Sequence, residues 1–338
     1  MSRITIIGLD LAKNVFQVHG VDQRGRVVLR RRLSRATVLP FFVNLPACLV
    51  GIEVCGGSNF WGRKLRELGH DVRQMSPQHV KPYVKTNKND YNDAEAICEA
   101  VSRPNMRFVP IKSIEQQDIQ ILHRIRDKLV RKRTSVANQS RGFLLEYGIA
   151  VPKGLAKIRS QLPQILEDES NELSLLARDF LSDLYEQLVY LDEKITQYDR
   201  RMKVLFKQSE ECQRIGKIPG IGPQTATAIV AAVGKASTFK NGRELAAWLG
   251  LVPRQHSSGG RDRLLGISKR GDVYLRKLLI HGARSVVRRC YLKKDRVSLW
   301  LQGLIARRGK NKAAVALANK NARMIWVLLA KQQEYKAA

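Results

Sequence analysis

The sequence is short of cysteine, of long apolar runs and of acidic side chains relative to basic ones, and each shortage excludes something. Its five cysteines, at positions 48, 55, 98, 212 and 290 of 338 residues, lie far apart and show no paired zinc spacing. With apolar neighbours they read as reduced, mostly buried thiols of a cytosolic protein. No apolar run approaches the ~20 residues needed to cross a bilayer. The opening MSRITIIGLDLAK is too short and too quickly charged for a secretory signal, so a soluble, cytoplasmic protein with no membrane partner is expected. No internal repeat is evident. The 30 acids face 60 Lys and Arg, a formal net charge of +30. Such an excess repels itself unless a polyanion neutralises it. Nucleic acid is the expected polyanion, bound through phosphate contacts and counterion release. An anionic membrane surface fits less well, because the basic residues run along the whole chain and not down one amphipathic helix. At ~150 residues per domain, the length allows two domains with a real core.

In the N-terminal third, RITIIGLDLAKNVFQVHGVDQRGRVVLRRRLSR reads as three strands, with DQRG as the hairpin turn between the second and third. ACLVGIEVCGG is a fourth strand ending in glycines, FWGRKLRELGH a helix stopping at Gly69, and DVRQM a fifth strand. Three hairpin strands followed by alternating helix and strand make an α/β sheet of mixed direction. Asp10 interrupts the first apolar strand and Glu53 the fourth. A carboxylate inside a buried strand is costly unless it is paired or metal-bound. KNDYNDAEAICEAV reads as a helix carrying Asp90 and Asp93. Three residues of helix are ~60° around the axis and ~4.5 Å of rise, so both carboxylates share a face. Four acids meeting at one sheet edge suit a pair of Mg²⁺ or Mn²⁺ ions ~3.5–4 Å apart, an arrangement for phosphoryl transfer. Spacing alone leaves other readings open, with Asp93 as a helix-start acid and Asp10 as a turn residue at a strand end. An actin-like sugar kinase also places an aspartate and then a basic residue on its first strand. It further expects glycine-rich phosphate loops and a second α/β half, and neither appears.

GLDLAK, GIEVCGG and KNDYNDAEAI, in that order, resemble the DEDD motif of the insertion-sequence transposases related to the Piv DNA invertase, a family of bridge-RNA-guided recombinases. The resemblance implies a RuvC-like (ribonuclease H-like) domain over residues 1–111, with Asp10, Glu53, Asp90 and Asp93 as its metal-binding catalytic acids. It also implies a bacterial protein, nucleoid-associated when bound.

Residues 112–210 read as helical and charged. IEQQDIQILHRIRDKLVRKRTSVANQSRGFLLEYG puts Leu122, Ile125, Leu129 and Val136 on one stripe, surrounded by Arg124, Arg126, Lys128, Arg131, Lys132 and Arg133. Such a run is a solvated helix face or a nucleic-acid contact, and the overall charge favours the contact, with Arg124, Arg131 and Lys132 as its candidates. VPKGLAKIRSQLP looks like the turn between two long helices. In LYEQLVYLDEKITQYDRRMKVLF, residues Leu184, Leu188, Leu191, Ile195, Tyr198, Met202 and Leu205 step by four and three, an a/d seam. A helical hairpin or an intermolecular coiled coil would bury it. The resemblance favours the coiled coil, and with it a homodimer or homotetramer.

Residues 211–338 form the third, mainly helical region. IGKIPGIGPQTATAIVAAVG resembles a helix-hairpin-helix turn, in which Gly220 and Gly222 let backbone N–H groups approach a DNA phosphate. A plain tight turn between helices is the other reading. YLRKLLIHGARSVVRR and NKAAVALANKNARMIWVLLAK are amphipathic helices, with His281 expected in the core. QHSSGGRDRLLGISKRG sets adjacent serines on a glycine turn ringed by basic side chains. Alone it is an ordinary turn. The run from IPGIGP through WLGLVPRQHSSGG to GISKRGDVYLRKLL resembles the C-terminal domain of the same family, whose reactive serine precedes a glycine and so maps to Ser258, with Ser257 as fallback. A serine hydroxyl needs an activating base or metal. Lys269, Arg270 and Arg276 are placed to stabilise charge on the attacked phosphorus. His256 could orient the serine, but an exposed or hydrogen-bonding histidine is the favoured reading.

Three functions compete. One is a DNA recombinase, with metal on the acids and Ser258 as nucleophile on double-stranded DNA. Another is a metal-dependent nuclease or junction resolvase in which water attacks. The third is a non-enzymatic RNA or DNA binder. The resemblance favours the first and implies a structured guide RNA that selects the DNA sites by base pairing.

Overall fold

The computed structural model describes residues 3–85 and 89–336; Lys88, the first residue of the block KNDYNDAEAI, lies outside them. The chain divides into two compact units, residues 1–114 and 115–338.

The first unit is a six-stranded mixed sheet with helices on both faces. β1 (Ile4–Leu11), β2 (Val15–Asp22) and β3 (Val27–Ser34) form consecutive antiparallel hairpins. The β2–β3 turn follows from DQRG, because the Asp22 carboxylate accepts the Arg24 and Arg26 amides at 2.9 Å each. α1 (Val38–Val43) leads to β4 (Leu49–Glu53), α2 (Ser58–Glu67) and β5 (Asp71–Met75). The one-turn α3 (Pro77–Val80), α4 (Asp90–Val101) and β6 (Phe108–Val109) complete the unit. The strand order is β3-β2-β1-β4-β5-β6, with β1, β4 and β5 parallel and β6 antiparallel at the far edge. α1, the one-turn α3 and β6 are additions to the five strands and two helices expected.

Alternation sorts the strand side chains onto two faces. Ile7, Leu9, Phe16, Val18, Val50 and Ile52 pack against Phe42, Trp61 and Leu65 of α1 and α2. On the other face lies α4, and two strand glycines let it settle onto the backbone. A Cβ at Gly8 would stand 2.1 Å from the Ala94 carbonyl oxygen, and one at Gly51 2.8 Å from the Val101 Cβ.

The second unit is mainly helical. α5 (Ile114–Glu146), α6 (Leu155–Glu167) and α7 (Leu175–Gln208) share one core, containing Val136, Leu144, Ile158, Leu162, Leu188 and Leu191. Here the sequence reading needs two corrections. The stretch expected as a turn between helices is helix α6, despite Pro163 in its interior. A helical proline costs about 3 kcal/mol, whereas burying Ile158 and Leu162, both 0 % exposed, returns about 1.5–3 kcal/mol each. Ile125 of the α5 stripe is exposed; buried His123 and Asp127 hold the positions flanking it. The α7 seam is covered within the chain: Leu188 and Leu191 share the core with α5 and α6, and Ile195 and Met202 are also buried. Arg126 pairs with Asp199 and Arg133 with Asp192, seven residues forward on α5 for seven back on α7, so the two helices run antiparallel.

The largest core gathers α8 (Glu210–Gly216), α9 (Pro223–Val233), α10 (Gly242–Trp248), α11 (Val273–Arg289), α12 (Arg296–Arg308) and α13 (Lys310–Ala330). Between α10 and α11 a small hairpin projects, β7 (Pro253–Gln255) with β8 (Leu264–Ile267). His281 is exposed, against expectation. Its apolar neighbours Leu278 and Leu279 lie on the buried face of α11, and residue 281 lies on the opposite one.

Candidate metal centre and serine hairpin

Asp10 leaves β1 on the α4 face, two residues beyond Gly8, and the glycine contact sets the first turn of α4 above it. Asn89 caps that helix by accepting the Tyr91 amide, which places Asp90 and Asp93 in the first turn, where the helix dipole favours carboxylates. Carboxylate oxygens of Asp10, Asp90 and Asp93 lie within 4.8 Å of one another. Asp10 and Asp93 are half-buried and Asp90 is exposed. Glu53 follows the Leu9–Ile52 pair by one residue and so neighbours Asp10 across β1 and β4. Burial pushes its carboxyl above the usual range, and the charges of Asp10 and Asp93 push the same way. Glu53 stands outside the three-acid group. Hard oxygens gathered this closely fit a divalent cation such as Mg²⁺ or Mn²⁺. Cys55 is the exposed exception among the cysteines; burial of its sulfur, then Asp10 and Glu53, raise its thiol.

The serines occupy the tip of the β7–β8 hairpin. The Arg261 amide donates to the Ser258 carbonyl at 3.1 Å, closing a four-residue turn whose centre is Gly259 (φ +56°) and Gly260 (φ +74°). Two successive positive φ angles define the primed hairpin turn, which glycine adopts without strain. The two hydroxyls differ. Ser257 Oγ donates to Asp262 at 2.9 Å and accepts from Gln255, whereas Ser258 Oγ makes no hydrogen bond among the described residues. His256 is exposed, as expected.

The expected nucleic-acid residues have diverse places. Arg124 and Lys132 are exposed, as is Arg131, whose guanidinium bonds Asp127. Lys269 and Arg270 are exposed just after β8. Arg276 is 8 % exposed. Its guanidinium donates to the Leu249 and Arg270 carbonyls at 3.2 Å each, so it braces the chain after the hairpin from within and does not face solvent. Gly220 (φ +87°) lies under α11, where an added Cβ would come 2.7 Å from the Gly282 carbonyl oxygen. Its smallness is explained by helix packing. Gly222, at the N-terminus of α9, borders open space.

Sequence reasoning passed over a buried polar chain. Thr227 Oγ1 donates to the Pro223 carbonyl at 2.8 Å and accepts from His123 Nε2 at 3.0 Å. That leaves Nδ1 to accept from the Tyr274 hydroxyl at 2.9 Å, whose oxygen accepts from Gln224. Every donor has one acceptor, and α5, α9 and α11 are joined. Burial, then Arg126, lowers the His123 pKa to about 4. The signal was the four-residue step from His123 to Asp127 on the stripe, hidden because both side chains are polar.

Two family models match, a DEDD transposase model of IS110 type over residues 7–149 and the "Transposase IS116/IS110/IS902 family" over residues 212–298. The "Probable family 20 transposase" of Pseudomonas aeruginosa is 53% identical over 331 residues, 98% of each chain. The chain belongs to the IS110 family of transposases. The transposase for insertion sequence element IS1111A of Coxiella burnetii is 49% identical over 99% of this chain and 92% of its own. The pilin gene-inverting protein of Moraxella bovis is 28% identical over 75% and 74%. As an insertion-sequence transposase, the protein is an enzyme that binds, cuts and rejoins DNA. Among the described residues no helix is long and apolar enough to cross a membrane.

Proposed function

We propose that this IS110-family transposase cuts and rejoins DNA through a serine–DNA phosphoester, with Asp10, Glu53, Asp90 and Asp93 holding the divalent metal that assists the reaction. The observation that carries this reading is the convergence of Asp10, Asp90 and Asp93 on one point. A divalent ion held there, Mg²⁺ or Mn²⁺, would supply Lewis-acid chemistry, polarising phosphoryl oxygens and easing ionisation of an attacking hydroxyl. The strand order 3-2-1-4-5, with β1, β4 and β5 parallel, supports the ribonuclease H-like assignment of the first unit.

Ser258 is the nucleophile of this scheme, and its unengaged hydroxyl at the hairpin tip supports the choice over Ser257. Its Oγ forms a bond to phosphorus as one P–O bond of the strand breaks. The hydroxyl proton leaves to base or solvent, and the departing sugar oxygen takes one up. The phosphoester retains the energy of the cut bond, so a second sugar hydroxyl reverses the step on a new partner without ATP. Lys269 and Arg270 offset charge on the attacked phosphate, and Arg276 fixes the segment that carries them. The α9 N-terminus at Gly222 positions a phosphate without reading sequence. Arg124, Arg131 and Lys132 extend the basic surface along α5. Site choice falls to a structured guide RNA, supported by the family resemblance and the +30 charge. Homodimer or homotetramer assembly belongs to the same reading, with exposed Leu175, Leu176 and Phe180 of α7 offering apolar surface for it.

The test is a trapped intermediate. With DNA carrying the element's ends, Ser258→Ala abolishes the covalent adduct and leaves DNA affinity intact, while Asp10→Ala abolishes cutting altogether. An adduct that survives Ser258→Ala moves the nucleophile elsewhere, and cutting without any adduct supports water as nucleophile.

A further inference from the structure

The carboxylate row continues beyond Asp10. Asp10 on β1 pairs with Gln17 on β2, and Gln17 with Arg32 on β3. Residues in one register row leave the same face of a sheet. That face is the one covered by α4, as Arg30 confirms: two residues from Arg32, it lies 3.8 Å from Glu95 of α4. With strands ~4.8 Å apart, the Arg32 backbone stands about 10 Å from that of Asp10, and a long side chain bridges much of that gap.

Arg32 differs from its neighbours on this edge strand. Arg31 lies over the Phe41 ring and Arg35 over Trp61, and Arg30 faces Glu95. Arg32 is exposed, and among the described residues its guanidinium has no ion pair, hydrogen bond or ring partner. Between it and Asp10, Gln17 is only 5 % exposed, and its Oε1 has no hydrogen-bond partner. A cation unneutralised by protein stands in line with the carboxylate centre, beside a buried amide oxygen that lacks a donor and that the guanidinium can supply.

We propose that Arg32 forms a phosphate subsite for the DNA strand being cut, holding a phosphate adjacent to the reacting one, with Gln17 Oε1 accepting from its guanidinium to steady it. This rests on the reading of the four acids as a metal centre acting on DNA. A guanidinium matches phosphate geometry with paired donors, and the contact is blind to base sequence. Its role is to set the strand's register over the carboxylates.

The test uses the full chain and a labelled mixed-sequence DNA duplex, with affinity measured against salt in Mn²⁺ and in EDTA. Arg32→Gln should weaken Mn²⁺-supported binding about tenfold and lower the log–log salt slope by about one phosphate contact. Arg32→Lys should recover most of the slope. Arg24→Gln, in the β2–β3 turn at the opposite end of the sheet, should have less effect. Mn²⁺ binding by Arg32→Gln, counted by electron paramagnetic resonance, should stay unchanged. Asp93→Asn should remove the gain in affinity that Mn²⁺ confers. If Arg32→Gln binds like the parent, or no worse than Arg24→Gln, while Asp93→Asn loses that gain, the subsite is overturned and the metal reading stands. If Asp93→Asn keeps the gain, the metal reading falls and the subsite with it.

Discussion

Replacing Asp93 with asparagine separates a metal centre from a merely acidic helix start, because its effect changes sign with the cation. Two charges at 4.8 Å, the outer limit for the trio, repel by about 0.9 kcal/mol in water and about 3.5 kcal/mol at an effective dielectric of ~20. Asp93 takes part in two such pairs, and the site is open on the Asp90 side, so the lower figure applies and the relief is about 2 kcal/mol. Loss of a favourable charge in the first helical turn takes back about 0.3–1 kcal/mol. Without metal, Asp93→Asn should therefore stabilise the first unit by about 1 kcal/mol, slowing exchange of the β1 and β4 amides about fivefold. With Mn²⁺ at a hundred times its dissociation constant the parent gains about 2.7 kcal/mol. The variant, lacking one anionic donor, gains less, so the order inverts. Hydrogen exchange read by mass spectrometry in EDTA and in Mn²⁺ measures both arms. Destabilisation in EDTA, or equal gains from Mn²⁺ in both proteins, refutes the reasoning.

Two further outcomes follow from the second unit. His123 is neutral in the fold and takes up a proton on unfolding, so its contribution is complete above pH ~6.5 and declines as pH falls toward about 4; the loss amounts to about 3 kcal/mol. His123→Leu should flatten that part of the stability profile in denaturant titrations, and an unchanged profile would show that the His123–Tyr274–Thr227 chain carries no linkage. Arg276→Met leaves the Leu249 and Arg270 carbonyls unmet, destabilising the fold by about 2–4 kcal/mol. It should cut adduct yield while keeping the salt slope of DNA binding, whereas a slope lower by one contact would mean that the guanidinium meets phosphate after all.

Much of the first unit was legible because its signals are local. Alternation marks β1 to β3, the Asp22 turn is written in four residues, and acids interrupting apolar strands stand out. β6 was missed because two residues carry no period; their pairing is decided by β5. α6 was missed because Pro163 and Gly154 are turn signals, outweighed by burial that only the α5–α7 core supplies. Gly220 was read for its turn chemistry, but its limiting neighbour, Gly282, is remote in sequence. Arg276 was read as a free cation because charge is visible in a sequence and the carbonyls that take it up are not. The four acids were legible as a set through their order, yet the closer grouping of three, with Glu53 raised beside them, required the seat of α4 on two glycines.

That seat bears on how defective copies of such an element are recognised. A copy in which codon 8 has drifted from glycine to alanine still spells out all four acids and the serine turn, and any search by motif would count it intact. The added methyl group has nowhere to go but into the helix that bears half of the acids. Its inactivity would be written in a motif position that takes no part in the chemistry.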